Sequence, residues 1–432
     1  MFKTLRNAWK IADLRKKLIF TVMILLVYRV VSAIPVPFVD SKLMATYFQQ
    51  ELSNTVFGLL NVMSGSAFAQ ASILALGIQP YINASIIVQL LTIAIPALER
   101  MAKEEGEAGK KKIDRITRIV TILLGIVMGY GSYMMISGKA ITGMNLLTGV
   151  STLGEVWPAI IIVAAFTAGS CFVMWMGEQI TEHGIGNGIS MVLFANIITS
   201  LPATMTALGA FGNKKEWWII LVVAVLMLLM VVFIVFINDA ERRIPIQYAK
   251  RVVGRKVYGG QNTNLPIKVA MSGVMPVIFA QTICVIPGTI CTFIGKTNGW
   301  WYKNIFASTS PVYLVFYGLM IFFFSWFYST IQYDPVEISN NLQKNGGFIP
   351  GFRAGKPTAE FIKKVINKIL IFGAVYLAIV ALLPMIGSSL NNKLAALGIG
   401  GTSIIIVVGV ALETVKALEA QMLMRHYKGF LD

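Results

Sequence analysis

Long apolar runs separated by short polar stretches dominate the chain. A helix that crosses a bilayer needs about 20 mostly apolar residues, because each residue rises about 1.5 Å and the hydrocarbon layer is about 30 Å thick. Ten stretches meet that requirement: 18–37, 74–98, 117–136, 154–176, 186–205, 217–237, 269–290, 311–331, 366–386 and 394–412. The pattern predicts an all-α polytopic membrane protein with ten transmembrane helices. An even number of spans puts both termini on one side.

One region breaks the pattern. The stretch Asn61-Val-Met-Ser-Gly-Ser-Ala-Phe-Ala-Gln-Ala-Ser72 runs into the second apolar run. It is too polar to face lipid and too apolar for a free loop. Backbone at membrane depth that does not span is stable only inside protein or beside water. The expected structure is a short re-entrant piece within a cavity, broken from the true span by Gly77 and Pro80. An ordinary surface loop is the alternative. Gly184-Ile-Gly-Asn-Gly188 opens the fifth span and suits a tight turn with close helix approach. A phosphate cradle is the weaker alternative, because no P-loop lysine follows. Gly125 and Gly129 form a small-xxx-small pair of the kind that packs helices.

Composition sharpens the picture. Of 432 residues, 56% are hydrophobic and 13% charged, against roughly 45–50% and about 25% in soluble domains. Mean hydropathy is +0.71, which excludes a soluble globular enzyme, a disordered chain and a coiled coil. The net charge is +17, and 29 of the 37 lysines and arginines fall before the first span, in the even-numbered loops with their adjoining span ends, or in the C-terminal tail. Cytoplasmic segments carry such an excess, so both termini are expected inside. Two of those loops, about 238–268 and 332–365, are longer than ordinary connections. Their basic character fits either topology alone or acidic partners such as RNA, an acidic protein face or lipid headgroups.

Candidate chemistry is sparse. Arg29 lies in the outward half of the first span, where snorkelling or pairing with a neighbouring helix would hold it. Glu155, Glu178 and Glu413 lie at span ends, and no aspartate lies within a span. The two histidines, His183 and His426, lie in a loop and in the tail. Three cysteines give no disulfide framework, and Cys284 and Cys291 read as buried thiols. Gly351-Phe-Arg-Ala-Gly-Lys-Pro357 resembles a P-loop, but its glycine spacing is short by one and proline replaces the Ser/Thr. The chain therefore reads as non-catalytic, with no cofactor and no metal, driven by a partner or a gradient. A gated polypeptide channel and a secondary transporter both fit, since transporters also use inverted repeats and broken helices. The lack of midplane charge favours the channel.

Several motifs resemble the SecY family, the pore subunits of the bacterial protein-export translocon. They are Gly77-Ile-Gln-Pro-Tyr-Ile-Asn-Ala-Ser-Ile-Ile-Val-Gln-Leu-Leu91, Gly177-Glu-Gln-Ile-Thr-Glu-His-Gly-Ile-Gly-Asn-Gly-Ile-Ser190, Glu241-Arg-Arg-Ile-Pro-Ile-Gln-Tyr-Ala-Lys-Arg251, Gly347-Phe-Ile-Pro-Gly-Phe-Arg-Ala-Gly355 and Gly400-Gly-Thr-Ser403. They occur in the family's order from the second span to the last.

The resemblance implies two inverted pseudo-symmetric halves of five helices, 1–205 and 206–432, closing like a clamshell around a central pore. It implies a pore ring of Ile78, Ile82, Ile189, Leu193, Ile278 and Ile406. A ring of branched apolar side chains at a narrow waist dewets and blocks ions. The resemblance also implies a plug over 61–72, including Asn61, Ser64, Gly65, Ser66, Ala67 and Ser72. The second and seventh spans would form a lateral gate into lipid, with Gln89 and Thr121 at polar positions. Ala270 stands where other members carry asparagine, which would weaken the gate's polar cluster. Arg251, Arg255 and Arg353 would dock the SecA ATPase or the ribosome, the latter through ribosomal RNA. Further implied partners are the small membrane subunits SecE and SecG, signal sequences and preproteins, YidC and membrane lipids. The implied setting is the bacterial plasma membrane.

Overall fold

The computed structural model describes residues 2–49, 56–103, 105–137, 147, 156–212, 217–248, 251–253, 256–258, 262–271, 273–293, 304–305, 310–390 and 401–428. Its helices, in order, are α1 (Phe2–Lys10), α2 (Ala12–Val31), α3 (Ser41–Tyr47), α4 (Val56–Met63), α5 (Gln79–Ala94), α6 (Pro96–Lys103), α7 (Gly106–Ser137), α8 (Val156–His183), α9 (Gly188–Gly212) and α10 (Trp217–Asp239), followed by α11 (Met275–Phe293), α12 (Pro311–Gln332), α13 (Pro335–Lys344), α14 (Lys356–Leu390) and α15 (Gly401–Lys428). Each of the ten expected spans coincides with a helix: α2, the α5–α6 pair, α7, α8, α9, α10, α11, α12, α14 and α15. Among the described residues, α7, α8, α10, α12 and α14 are each long and apolar enough to cross a membrane unaided, and the bent pair α5–α6 meets the same test when its two helices are taken as one span.

The boundaries differ from the hydropathy reading for local reasons. Helix α2 begins at Ala12, well before residue 18, because charged residues leave lipid without breaking a helix. It ends at Val31 rather than 37, ahead of Pro35 and Pro37. The second span starts at Gln79 with Pro80 in its first turn, where a missing N–H is harmless. Residues 74–78 are turns instead of helix. The span bends by 105° at Ile95. Ile95 is extended (φ −109°, ψ 111°), as the residue before a proline prefers. Helices α7, α14 and α15 run several turns beyond their apolar windows. Residues 391–400 of the tenth expected span lie outside the described residues.

Small residues set the helix packing. A Cβ on Gly125 of α7 would sit 3.1 Å from Ser170 Oγ and 3.3 Å from Thr167 Cγ2 of α8, and one on Gly129 would sit 3.4 Å from the Val163 carbonyl. Both glycines of the pair thus face α8, as their spacing suggests.

The long loops hold structure that hydropathy does not signal. Loop 238–268 carries β1 (Glu241–Tyr248), β2 (Arg251–Val253), β3 (Lys256–Tyr258) and β4 (Asn262–Lys268), and β5 (Gly347–Phe348) lies in the second loop. Strand β1 is central in a β4-β1-β5 sheet. It pairs antiparallel with β4 from Glu241↔Lys268 to Gln247↔Asn262, and with β5 at Gln247↔Phe348 and Tyr248↔Gly347. The two loops are therefore one unit. Ile244 and Ile246 alternate inward and join Ile267, Leu342, Ile349 and Ile362 in a small core, as a strand with one buried face requires.

The main apolar core runs across helices from both ends of the chain, from Ile82 and Ile86 on α5 to Ile405 and Ile406 on α15. Gly125→Val is expected to destabilise the α7–α8 contact by about 1–3 kcal/mol through overpacking. A lowered melting temperature of the detergent-solubilised protein checks it.

Candidate functional site

The six aliphatic residues come from four helices that meet in the main core. Ile78 caps the start of α5 and Ile82 follows one turn later. Leu193 projects from α9, Ile278 from α11 and Ile406 from α15, and all five are buried in a single cluster. Ile189, in the first turn of α9, is partly buried and packs against it. The start of α9 is fixed by the glycine turn ahead of it. Gly188 approaches the Gly177 carbonyl so closely that a Cβ would collide with it. The Gly188 N–H donates to Thr181 Oγ1 (3.0 Å), and Asn187 Oδ1 accepts from Ile189 and Ser190 (3.0 and 3.4 Å). With these amides already used, the turn serves close packing of α8 and α9.

Two hollows flank the cluster and share no lining residue. The larger, about 200 Å³, is lined by Leu193, Ile278 and Ile406 together with Asn187, Tyr328 and Glu413 among others. The smaller, about 20 Å³, is lined by Met63, Ser64, Phe68, Ile78, Gln79 and Ser132 among others. Ile82 and Ile189 line neither.

Residues 61–78 fill the side of the smaller hollow. Asn61 lies in the last turn of α4, and turns follow as far as Ile78. Ser64, Gly65, Ala67 and Ser72 are buried, and Asn61 and Ser66 are partly so. The surface-loop alternative therefore fails. Side chains of the segment satisfy its own backbone: Asn61 Oδ1 accepts from Ala69 N–H (2.9 Å), Ser64 Oγ from Phe68 N–H (3.2 Å) and Ser72 Oγ from Leu74 N–H (3.0 Å). The far end is tied to the chain after α2 by Val36 N–H to Ala71 O (2.9 Å) and Ile73 N–H to Ile34 O (3.0 Å).

Neighbouring helices hold the near end. Asn196 Nδ2 on α9 donates to Met63 O (2.7 Å), Arg29 Nη1 on α2 to Gly65 O (3.0 Å), and Gln281 Nε2 on α11 to Met63 Sδ (3.7 Å). Gly65 has φ +65°, and a Cβ there would sit 2.9 Å from both Asn196 Oδ1 and Thr199 Oγ1. Only glycine meets both demands without strain. Asn196 and Gln281 do not stand out in the sequence, since polar residues on apolar helices carry no signal until their partners are known. Arg29 is the legible clue. It is bonded to the backbone of 61–72.

The expected gate residues are placed but not joined. Helix α5 packs on α7, and α11 touches both. Thr121 is fully buried, and its hydroxyl donates to the Thr117 carbonyl of its own helix (2.7 Å). Gln89 is half-buried on α5, and among the described residues no hydrogen bond links the two. Ala270 lies in the turn ahead of α11. Of the expected docking residues, Arg251 begins β2, and Arg255 lies outside the described residues. Arg353 is exposed at a braced tip. Its carbonyl accepts from Thr358 Oγ1 (2.8 Å), Ser339 Oγ donates to the Gly355 carbonyl (2.8 Å), and the rings of Phe352 and Phe361 lie 4.3 Å apart. Cys284 is buried, Cys171 and Cys291 are half-buried, and all three are free thiols. The Arg118–Glu178 pair (2.8 Å) ties α7 to α8 near solvent, where such pairs stabilise little.

Known proteins resemble this chain over its length. The SecY family model matches residues 72–415. The chain is 44% identical to the protein translocase subunit SecY of Streptomyces galbus and 40% identical to that of Bacillus subtilis (strain 168), each over the full length of both chains. Its fold is similar to that of a solved protein conducting channel, with TM-score 0.61 and 17% identity over 94% of this chain and 92% of the other. It is likewise similar to a chain of the idle yeast Ssh1 complex bound to the yeast 80S ribosome, with TM-score 0.63 and 16% identity over 96% and 90%.

Gly65→Val is expected to push segment 61–72 off α9. Hydrogen-exchange mass spectrometry should then show peptides across 61–72 losing protection several-fold, with those across α8 unchanged.

Proposed function

This chain belongs to the SecY family, and on that premise we propose that Ile78, Ile82, Ile189, Leu193, Ile278 and Ile406 form the constriction of its pore. The protein is a multi-pass, non-catalytic translocase subunit with the ten-helix clamshell fold of protein-conducting channels. The observation that carries the finer reading is the placement of these aliphatic residues in one cluster, with one hollow lined by Ile78 and another by Leu193, Ile278 and Ile406.

The mechanism follows from the chemistry of such a waist. Apolar side chains give water and ions no hydrogen bonds, and a narrow apolar passage dewets. Aliphatic side chains also discriminate little between peptide sequences, so they can close around any extended chain. Segment 61–72 is the plug beneath them, on the side away from the basic loops. The halves 1–205 and 206–432 part to widen the waist and, between α5 and α11, to release apolar segments into lipid. Gln89 and Thr121 border that gate.

Energy comes from outside the chain. The joined sheet of the two basic loops, with Arg251, Arg255 and the braced Arg353, is the docking platform for the SecA ATPase or the ribosome. Ribosome-bound relatives among the fold neighbours support the second partner. SecE and SecG, signal sequences and preproteins, YidC and membrane lipids complete the assembly. The setting is the bacterial plasma membrane with both termini in the cytoplasm, as the distribution of lysine and arginine supports.

Ile406→Asn places one polar group in the constriction and is expected to raise resting ion conductance in planar bilayers at least several-fold. Conductance at the wild-type level would remove Ile406 from the ring. Arg353→Glu is expected to cut ATP-driven preprotein transport into reconstituted vesicles about tenfold while resting conductance stays low. Unchanged transport would remove Arg353 from the docking platform.

A further inference from the structure

We propose that Arg29 and Asn196 form a two-point latch that holds the plug closed by its backbone. This rests on the reading of 61–72 as the plug and adds the groups that keep it in place. The argument starts from the end of α4. A helix leaves its last carbonyls without intrahelical partners, and at membrane depth water does not replace them. The hydrogen bonds at this end divide into two groups. Asn61 O accepts from Ser66 N–H (2.8 Å), Val62 O from Gly65 N–H (3.1 Å) and Ser64 O from Ala67 N–H (3.4 Å). Met63 O and Gly65 O instead accept from side chains of neighbouring helices, Asn196 Nδ2 (2.7 Å) and Arg29 Nη1 (3.0 Å).

Charge points the same way. The C-terminal end of a helix carries partial negative charge and favours a cation. Arg29 brings a full positive charge to the end of α4. It is steadied by Ser32, whose hydroxyl lies 3.4 Å from Nη1 and donates to the Arg29 carbonyl (2.8 Å). This gives a physical reason for an arginine in a span otherwise free of charge at that depth. Asn196 is 1% exposed, and its side chain also faces the buried Tyr28 hydroxyl of α2.

The latch acts on main-chain atoms, so it is indifferent to plug side chains. Both of its residues lie in the first half, on α2 and α9, whereas among the described residues the second half's hydrogen bond to this end is the weak Gln281 contact to the Met63 sulfur (3.7 Å). Parting of the halves therefore leaves the plug on the first half until the latch itself breaks. Arg29 and Asn196 are positioning residues of the closed state.

The test uses the reconstituted translocon with Cys171, Cys284 and Cys291 replaced and Ser66→Cys as a reporter. Arg29→Met and Asn196→Ala should each raise the rate at which a hydrophilic thiol reagent labels the reporter at position 66, and resting ion conductance, about tenfold, as loss of a buried or charge-assisted hydrogen bond predicts. Arg29→Lys, which retains a charged donor, should restore most of the protection. In a channel lacking 61–72, Arg29→Met should add no further conductance. Wild-type labelling in both single variants, with the deletion still leaking, would overturn the latch and leave the plug intact as a reading. A deletion that does not leak would overturn the plug reading instead. Equal failure of Arg29→Lys and Arg29→Met would mark Arg29 as a packing residue and also overturn the latch.

Discussion

No water reaches the hydrocarbon depth of a membrane to satisfy a stray peptide group, and every other feature of this molecule answers to that constraint. Helices meet it internally, which is why ten of them account for the apolar runs. The segment from Ser64 to Ile78 meets it only in part by its own bonds, because it is turns rather than helix. It is therefore wrapped in protein, its amides bound by Asn61, Ser64 and Ser72 and its carbonyls by Asn196 and Arg29. A passage through such a molecule can be kept shut only by side chains that offer water nothing, and the aliphatic cluster beside this segment has that character.

The same constraint divides labour across the membrane plane. The proposed constriction is uncharged and unspecific, and suits a chain of any sequence. Charge is concentrated where solvent permits, in the basic loops. There the β4-β1-β5 sheet fuses two loops separated by α11 and α12 into one platform, so a push on Arg353 is carried by a braced unit and not by a slack loop. A force applied to that unit bears on the base of α11, whose Ile278 reaches the cluster. The structure thus gives a continuous path from the proposed docking face to the proposed waist.

Much of this was legible in the sequence, for physical reasons. Lipid enforces long apolar windows, so the spans stood out, and the Gly125–Gly129 spacing announced a close helix contact that α8 supplies. The re-entrant segment was readable because its polarity suited neither lipid nor water. Helix ends were not, because solvated turns of α7, α14 and α15 continue a helix without any hydropathy signal. The loop strands were hidden by shortness: in β1 only Ile244 and Ile246 point inward, too few to stand out against the many cations of the same loop. The partners of Arg29 and the role of Asn196 lie beyond any local pattern, since residues far apart in sequence meet only in the folded chain. The six aliphatic positions could be chosen only through motif resemblance, as each alone looks like any core residue.

The central claim is that an extended polypeptide passes through the aliphatic cluster. Photocrosslinkers placed singly at positions 82, 278 and the exposed 225 on α10, with a secretory chain stalled midway, test it most directly. The account predicts adducts with the chain from 82 and 278, for any sequence held in the membrane plane, and none from 225. Lipid adducts from 82 and 278, with the chain captured elsewhere, would contradict it.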